Sequence, residues 1–286
     1  MPFLADLLSS LPIPKLPSHL TSWKPGETPL STLPEVASVT ALYLGTIFGI
    51  RELLKNGQPK KLNTLFQLHN ILLTAGSGLL LALILEEMVP YWWKHGFFAA
   101  ICGKGAWTEN LEFYYLINYY FKYWELVDTV FLALKKKPLT FLHVFHHAAT
   151  AALCYTQLDG KTSVQWVVIS LNLGVHVLMY YYYYATAGGA KIWWKKYITT
   201  MQISQFVIDI CVVYFATYSH FAYKHGMPTV GDCQGAESAA LYGCALLTFY
   251  LILFIDFYRR TYDAKPKHAT NGVANGKPVA NGKSAH

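Results

Sequence analysis

Three histidines lie close together in an apolar segment, His143-Val-Phe-His146-His147. In a helix, positions i, i+3 and i+4 share one face, so all three imidazoles would point the same way. Imidazoles in this arrangement could bind a metal, transfer protons or act as nucleophiles. Structural histidines that bond to neighbouring helices are the alternative. Three polar groups on one face of an apolar segment favour a functional role over that alternative.

A second polar group lies upstream, in Lys122-Tyr-Trp-Glu125-Leu-Val-Asp128-Thr129. Lys122 and Glu125 share a helical stripe with Thr129, and Asp128 borders it. An ion pair that only neutralises itself is one interpretation of Lys122 and Glu125, and support of a reaction site is the other. Asp128 has no counter-charge in that pair, and we expect it to orient an imidazole or to favour its charged form.

Two more polar sets follow the histidines. Asn172 and His176 are spaced i, i+4 and precede a run of tyrosines that is typical of an interfacial aromatic belt. Gln202 and Gln205 lie one turn apart in Thr-Thr-Met-Gln-Ile-Ser-Gln. These amides could hydrogen-bond between helices or contact a substrate.

The elements that carry these groups are predicted to be membrane helices. The 286 residues are 53% hydrophobic and only 14% charged, whereas a soluble domain carries roughly 25% charged residues. The net charge of +7 forms no basic stripe with interleaved aromatics, so nucleic-acid binding is excluded. Seven windows are long and apolar enough to span a bilayer, roughly 34–53, 65–85, 111–134, 139–157, 164–186, 197–219 and 236–258.

The chain therefore divides into three parts. An N-terminal segment, 1–33, lacks the basic region of a cleavable signal peptide. The membrane domain covers 34–260, and the aromatic stretch Tyr91 to Ile101 within it is predicted to be interfacial. The tail, 261–286, is polar and repetitive and is predicted to be disordered.

Lys and Arg predict the orientation in the membrane. They are concentrated in the first, third and fifth loops and in the tail, which places these parts in the cytosol and the N-terminus in the lumen. Cys102 and Cys233 then both lie in lumenal loops. Because the lumen is oxidising, we predict a disulfide between them.

Several classes of chemistry are open to such a chain. A di-iron desaturase or hydroxylase also carries a His-x-x-His-His box, but it needs about eight histidines in several boxes. The five intramembrane histidines here are too few, so we expect no metal. The free cysteines lie in apolar helices without a cation to activate them, which leaves an imidazole as the available nucleophile. A transporter or receptor without chemistry is the third class.

The four polar groups stand in order as KYWELVDT (122–129), HVFHH (143–147), HVLMYYYY (176–183) and TTMQISQ (199–205). With these motifs the chain resembles the ELO family of very-long-chain fatty acid elongases, the 3-ketoacyl-CoA synthases of the endoplasmic reticulum. The resemblance covers roughly 35–260 and is closest to fungal members. Many relatives end in a dilysine retrieval signal, whereas this chain ends Gly-Lys-Ser-Ala-His.

The resemblance implies an all-α membrane fold of seven helices, six of which form a barrel with the first helix outside. A tunnel closed at its lumenal end would hold the acyl chain. The implied reaction condenses a long-chain acyl-CoA with malonyl-CoA, releases CO2 and CoA, and needs no cofactor. Implied partners are the ketoacyl-CoA reductase, dehydratase and enoyl reductase of the elongation cycle, and a second copy of the chain in a homodimer.

The resemblance also implies roles for residues. His146 would carry the acyl group, and His176 and Asn172 would stabilise the developing negative charge. The other implied roles are orientation of the nucleophile by His143, His147 and Asp128, support by Lys122 and Glu125, positioning of the thioester by Gln202 and Gln205, and contact with the CoA phosphates by Lys137, Lys191, Lys195 and Arg259.

Overall fold

The computed structural model describes residues 3–10, 12 and 16–263, and they form an all-helical fold. Seven long helices account for most of it, and two short helices, α1 (Phe3–Ser9) and α2 (Ser18–Thr21), precede them. The long helices are α3 (Leu33–Leu53), α4 (Asn63–Cys102), α5 (Glu109–Leu134), α6 (Phe141–Asp159), α7 (Gln165–Ala187), α8 (Lys195–Lys224) and α9 (Glu237–Tyr258). The disorder predicted for the tail concerns residues that lie almost wholly outside the described part.

Local capping explains where several of these helices begin. Thr32 and Glu35 form a capping box at the start of α3, where the Thr32 amide donates to Glu35 Oε2 at 3.0 Å. Thr108 accepts from the Leu111 amide at the start of α5, and Thr140 accepts from the His143 amide at the start of α6. The last cap places the histidine box in the first turns of α6.

Helix α4 is longer than its predicted span. It continues past Pro90 as far as Gly96, where φ of +83° interrupts the helix before its last turns to Cys102. A positive φ is accessible to glycine without steric cost, which explains the kink. The aromatic stretch Tyr91 to Ile101, predicted to be interfacial, is thus a helical extension of α4.

Six helices form a closed ring. Each packs against two neighbours in the order α4, α7, α8, α9, α6, α5 and back to α4. The contact of α4 with α5 is close, since a Cβ at Gly76 would lie 2.7 Å from Phe121 Cζ. Helix α3 stands outside the ring and packs against α5 and α6. The core of the protein is the interior of this ring.

The chain before α3 crosses one end of the ring. Trp23 is buried there, and its amide donates to Glu112 Oε1 at 2.6 Å. Its indole Nε1 donates to Asp159 Oδ1 at 3.3 Å. Because Glu112 is on α5 and Asp159 ends α6, Trp23 ties the N-terminal segment to two helices of the ring.

Among the residues that the structure describes, four helical segments are long and apolar enough to cross a membrane: Leu33–Leu53, Asn63–Cys102, Lys195–Lys224 and Glu237–Asp263. The other three long helices, α5, α6 and α7, have lower hydropathy for a clear reason. Charged side chains interrupt α5, the histidine box interrupts α6, and consecutive tyrosines follow Asn172 and His176 in α7. The less apolar helices are therefore the ones that carry the first three motifs.

A disulfide joins Cys102, at the end of α4, to Cys233, in the loop before α9. Backbone hydrogen bonds reinforce this connection, since the Gln234 amide donates to Cys102 O and the Ser163 amide donates to Gln234 O. We call this side of the ring the disulfide end. The opposite side, where α5, α7 and α9 end, is the basic end.

Loss of the disulfide is expected to destabilise the protein. The bond closes a sequence separation of 131 residues, and constraint of so long a loop contributes up to about 5 kcal/mol in the chain-entropy account. Cys102→Ser should lower the thermal inactivation midpoint of the detergent-solubilised protein, and Cys102→Ser/Cys233→Ser should lower it no further. Cys211→Ser, at an exposed free thiol, is the control. Non-reducing peptide mapping that finds both thiols free in native protein would contradict the bond.

Candidate active site

A buried ion pair lies at the centre of the site. Lys122 Nζ donates to Glu125 Oε1 at 2.9 Å and to Asn172 Oδ1 at 2.7 Å. Lys122 and Glu125 are each 3% exposed. A charge in such surroundings is tolerated only when it is paired and hydrogen-bonded, and Lys122 meets both conditions. The pair links α5 to α7 across the interior of the ring.

His176 lies against the same pair. Its Nε2 is 3.2 Å from Asn172 Nδ2, and its Nδ1 is 3.2 Å from Glu125 Oε1. An ammonium group can only donate, so Lys122 requires the oxygen of Asn172 and turns the Asn172 amide nitrogen toward His176. Nε2 of His176 must then accept, and its proton resides on Nδ1, which faces the carboxylate. That contact is electrostatic, because Nδ1 makes no hydrogen bond of favourable geometry.

The histidine box lies on the interior side of α6. The rings of His143 and His147 are 4.4 Å apart, and those of His146 and His147 are 5.7 Å apart. His146 Nδ1 and His143 Nε2 are buried and have no hydrogen-bond partner. His146 also lies within electrostatic range of Glu125 and His176. The motifs on α5, α6 and α7 therefore meet in one place.

Aromatic side chains enclose His146. Its ring centroid lies 4.7 Å from that of Tyr250, 5.6 Å from that of Phe254 and 6.4 Å from that of Phe206. Tyr250 also donates to the backbone carbonyl of His146 and contacts Thr150. These contacts from α8 and α9 hold the imidazole in place while leaving Nδ1 unbonded, which is the condition a nucleophilic nitrogen requires.

Asp128 belongs to a neighbouring network. Its Oδ1 is 2.7 Å from His69 Nε2, and its Oδ2 accepts from the Tyr180 hydroxyl at 2.7 Å. The imidazole that Asp128 orients is thus that of His69, on α4, and not one from the histidine box. Beside it, the Tyr43 hydroxyl donates to Thr129 Oγ1 at 2.9 Å and attaches α3 to α5.

The two glutamines of α8 have different surroundings. Gln202 Nε2 contacts Met179 Sδ at 3.6 Å, and Gln205 Nε2 donates to Asp209 Oδ2 at 3.1 Å. Asp209 is fully buried, and its Oδ1 has no partner. Sequence reasoning missed Asp209 and gave no role to His69. The available signal was the same for both, an ionisable residue inside an apolar helix.

The basic residues expected to meet CoA lie at the basic end. Lys137, Lys191, Lys195 and Arg259 are all exposed there, in the loops after α5 and α7, at the start of α8 and at the end of α9. Nearby, the Lys196 ammonium lies 5.2 Å from the centre of the Tyr258 ring. The structure thus brings four cations from different parts of the chain to one side.

An apolar cavity lies between the site and the disulfide end. Its wall includes Asn118, one turn before Lys122, and Ile169, one turn before Asn172. Helices α6, α8 and α9 complete the wall, with Leu153, Val213 and Leu247 among the contributors. Cys154 also lines this cavity, and Asn118 Nδ2 contacts its sulfur at 3.7 Å.

Within the described part of the chain, no group of three or more His, Cys, Asp or Glu side chains is arranged to hold a metal ion. Of the three free cysteines there, Cys211 is exposed and Cys244 is buried. The groups that meet around Lys122 and His146 are imidazoles, the Glu125 carboxylate, the Asn172 amide and the Lys122 ammonium group.

Comparison with known proteins gives a consistent result. Residues 28–270 match the model of the ELO family, described as the GNS1/SUR4 family. "Putative fatty acid elongase 1" of Schizosaccharomyces pombe, a fungus, is 49% identical over 256 residues, which are 88% of this chain and 76% of that protein. "Fatty acid elongase A" of Dictyostelium discoideum is 37% identical over 85% of this chain and 88% of its own length.

A mammalian protein matches over a similar extent. "Very long chain fatty acid elongase 2" of Rattus norvegicus is 30% identical over 86% of this chain and 86% of its own length. The family match covers all four motifs and every helix of the ring. The resemblance seen in the motifs is confirmed, and this chain belongs to the ELO (GNS1/SUR4) family.

Proposed function

We propose that this protein is the condensing enzyme of fatty acid elongation, a very-long-chain 3-ketoacyl-CoA synthase. One observation carries the proposal: a buried imidazole with an unbonded nitrogen, His146, lies among the polar groups of α5 and α7, and the wall of an apolar cavity begins two turns further along α6, at Leu153. An acyl chain in that cavity would present its thioester carbon to this nitrogen. The names of the relatives, which are fatty acid elongases, support the same activity.

The two parts of an acyl-CoA have matching surroundings at opposite sides of His146. The acyl chain fits the apolar cavity, where each buried CH2 contributes about 0.8 kcal/mol. The phosphates of CoA fit the basic end, where Lys137, Lys191, Lys195 and Arg259 are exposed. The thioester between them would lie beside Gln202 and Gln205.

The reaction proceeds in two halves. A ring nitrogen of His146 attacks the thioester carbon, the C–S bond breaks, and CoA leaves as a thiol with the proton that the imidazole gives up. Malonyl-CoA then enters and loses CO2, and its enolate carbon attacks the acyl carbon. The C–N bond to His146 breaks, the imidazole takes up a proton from solvent, and a 3-ketoacyl-CoA two carbons longer departs. Water exclusion by the ring protects the acyl-imidazole from hydrolysis.

The hydrogen-bond chain beside His146 has a role in the second half. The His176 Nδ1–H and the Lys122 ammonium, both next to Glu125, form a fixed polar environment for the oxyanion or enolate as it develops. Asn172 holds the His176 tautomer. His143 and His147 flank the nucleophile, and Asp128 positions Tyr180 and His69 behind it. Neither half needs a cofactor.

The proposed function also implies how the helices are oriented in the membrane. All seven long helices span the bilayer of the endoplasmic reticulum, the disulfide end faces the lumen, and the basic end faces the cytosol, where both CoA substrates occur. The six-helix ring is the barrel that encloses the acyl tunnel. The 3-keto product must next be reduced, dehydrated and reduced again, so the reductases and the dehydratase of the cycle are its partners. A homodimer is the proposed assembly.

The acyl-enzyme is directly testable. Protein incubated with acyl-CoA alone should release one equivalent of CoA and gain one acyl mass on the peptide that contains His146. His146→Ala should abolish both, because it removes the proposed nucleophile. His225→Ala, at an exposed histidine after α8, should do neither. Release of CoA only after addition of malonyl-CoA, with no acylated peptide, would replace this mechanism by direct condensation.

The buried ion pair gives a prediction about stability. Glu125→Gln leaves the Lys122 ammonium without its counter-charge, and breaking a buried pair in this way costs about 3–5 kcal/mol. The double variant Lys122→Met/Glu125→Gln removes the uncompensated charge as well. Its thermal inactivation midpoint in detergent should therefore exceed that of Glu125→Gln alone. Equal midpoints would mean that an unpaired Lys122 ammonium does not destabilise the ring.

Orientation can be tested with glycan tags. An N-glycosylation acceptor added to the extreme C-terminus should remain unmodified in microsomes, and one added at the N-terminus should gain a glycan. The charge distribution requires this result, because Lys and Arg are concentrated in loops that must stay cytosolic. Glycosylation of the C-terminal tag alone would invert the topology.

A further inference from the structure

Helix α8 carries a buried acid, Asp209, that takes no part in the proposed mechanism. Its side chain is fully buried, and Gln205 Nε2 donates to its Oδ2 at 3.1 Å. Its Oδ1 has no hydrogen-bond partner among the described residues. An acidic side chain inside a membrane helix is costly and is retained mainly where it serves a function. Asp209 therefore requires an explanation other than packing.

The register of α7 against α8 gives the depth of Asp209 in the ring. The two helices are neighbours in the ring. Gln202 contacts Met179 toward the basic end, whereas Val213 and Val168 line the same apolar cavity further inside. The helices are thus antiparallel, and the segments between these two points are equally long. Because both helices rise about 1.5 Å per residue, the residues in between can be matched by counting.

This count places Gln205 beside the reacting groups. Gln205 lies at the depth of His176, and Asp209 lies one turn further toward the disulfide end. Phe206 follows Gln205 in the chain, and its ring centroid is 6.4 Å from that of His146. The Gln205 amide is therefore level with the two imidazoles, and Asp209 holds it from behind.

The hydrogen bond to Asp209 determines which atoms of the Gln205 amide are available to a substrate. A primary amide carries one carbonyl oxygen and two N–H groups. Asp209 Oδ2 accepts one N–H, so the plane of the amide is fixed and the second N–H remains free to donate. Without this acceptor the amide could turn over and present its carbonyl oxygen in place of an N–H.

We propose that Asp209 is a positioning residue for acyl transfer, which holds Gln205 so that its second N–H donates to the thioester oxygen. This inference rests on the proposed function. As the nitrogen of His146 attacks, negative charge develops on that oxygen, and a donor fixed in advance stabilises the charge. Asp209 itself forms no bond to the substrate and transfers no proton. It acts through Gln205, just as Lys122 acts through Asn172.

Substitutions of Asp209 separate its acceptor oxygen from its volume. Asp209→Leu removes the acceptor and fills the space, and it should lower kcat/KM for acyl-CoA by about a hundredfold, the loss that a misplaced group at a reaction site can cause. Asp209→Asn keeps a carbonyl oxygen that accepts the same N–H. It should restore kcat/KM to near the value of the unmodified protein.

A double-mutant cycle tests whether Asp209 acts through Gln205. Gln205→Leu removes the donor and should lower kcat/KM by about 10²- to 10³-fold, as the loss of one oxyanion donor does. Adding Asp209→Leu should lower it no further, because the group that Asp209 positions is already absent. The double variant leaves no buried N–H of Gln205 unpaired, so it is expected to fold even if Asp209→Leu alone does not.

Two further measurements distinguish positioning from a structural role. In a His146→Ala background, where no acyl transfer takes place, Asp209→Leu should leave the Kd of palmitoyl-CoA unchanged, because the donor acts on charge that develops during the reaction. Ser219→Ala is the control on the same helix. Ser219 is 1% exposed, and its Oγ has no partner in the described part of the chain. Its removal should not alter kcat/KM.

The assay is elongation by purified protein in detergent, with labelled malonyl-CoA and lauroyl-, palmitoyl- or stearoyl-CoA. Loss with Asp209→Leu, recovery with Asp209→Asn and no added loss in the double variant support the positioning role. Full activity of Asp209→Leu, equal losses for Asp209→Leu and Asp209→Asn, or a further loss in the Gln205→Leu background would overturn it and leave the proposed function standing. Failure of the unmodified protein to elongate any of the three acyl-CoAs would instead refute the proposed function.

Discussion

The ammonium group of Lys122 imposes the constraint on which the site depends. Buried at the centre of the ring, it requires acceptors on more than one side, and Glu125 and Asn172 supply them. Satisfying Lys122 fixes the orientation of the Asn172 amide, and the amide in turn fixes the tautomer of His176. The hydrogen bonds that Lys122 requires thus connect α5 to α7. They leave the Nδ1 proton of His176 facing the Glu125 carboxylate.

The ring of six helices encloses that polar centre. Six helices enclose the interior, so each buried polar group must find its partner inside the bundle or remain unsatisfied. Most of them are paired. The exceptions near His146 are informative, because Nδ1 of His146 and Nε2 of His143 are buried without partners. Aromatic contacts, and not hydrogen bonds, hold the His146 ring, so its nitrogen stays available.

Much of the fold was predictable from hydrophobic runs. The windows 34–53 and 236–258 match α3 (Leu33–Leu53) and α9 (Glu237–Tyr258) almost residue for residue, because strongly apolar runs with short polar connections leave little freedom. Helix α4 was underestimated because Pro90 normally ends a helix and its neighbours are aromatic. Among site residues, spacing predicted which polar groups share a helical face. It did not predict that Asp128 contacts His69, which lies far away in the chain.

By itself, the sequence determined the helical class, the four motifs and the residue types available for chemistry, because helical periodicity and the high energy of burying charge act locally. Family membership also follows from those motifs in order. Only the tertiary structure decided which groups meet: the ring order α4, α7, α8, α9, α6, α5, and the partner of each carboxylate. These features arise from side chains on different helices that pack against each other, and a pattern along one helix carries no information about its neighbour.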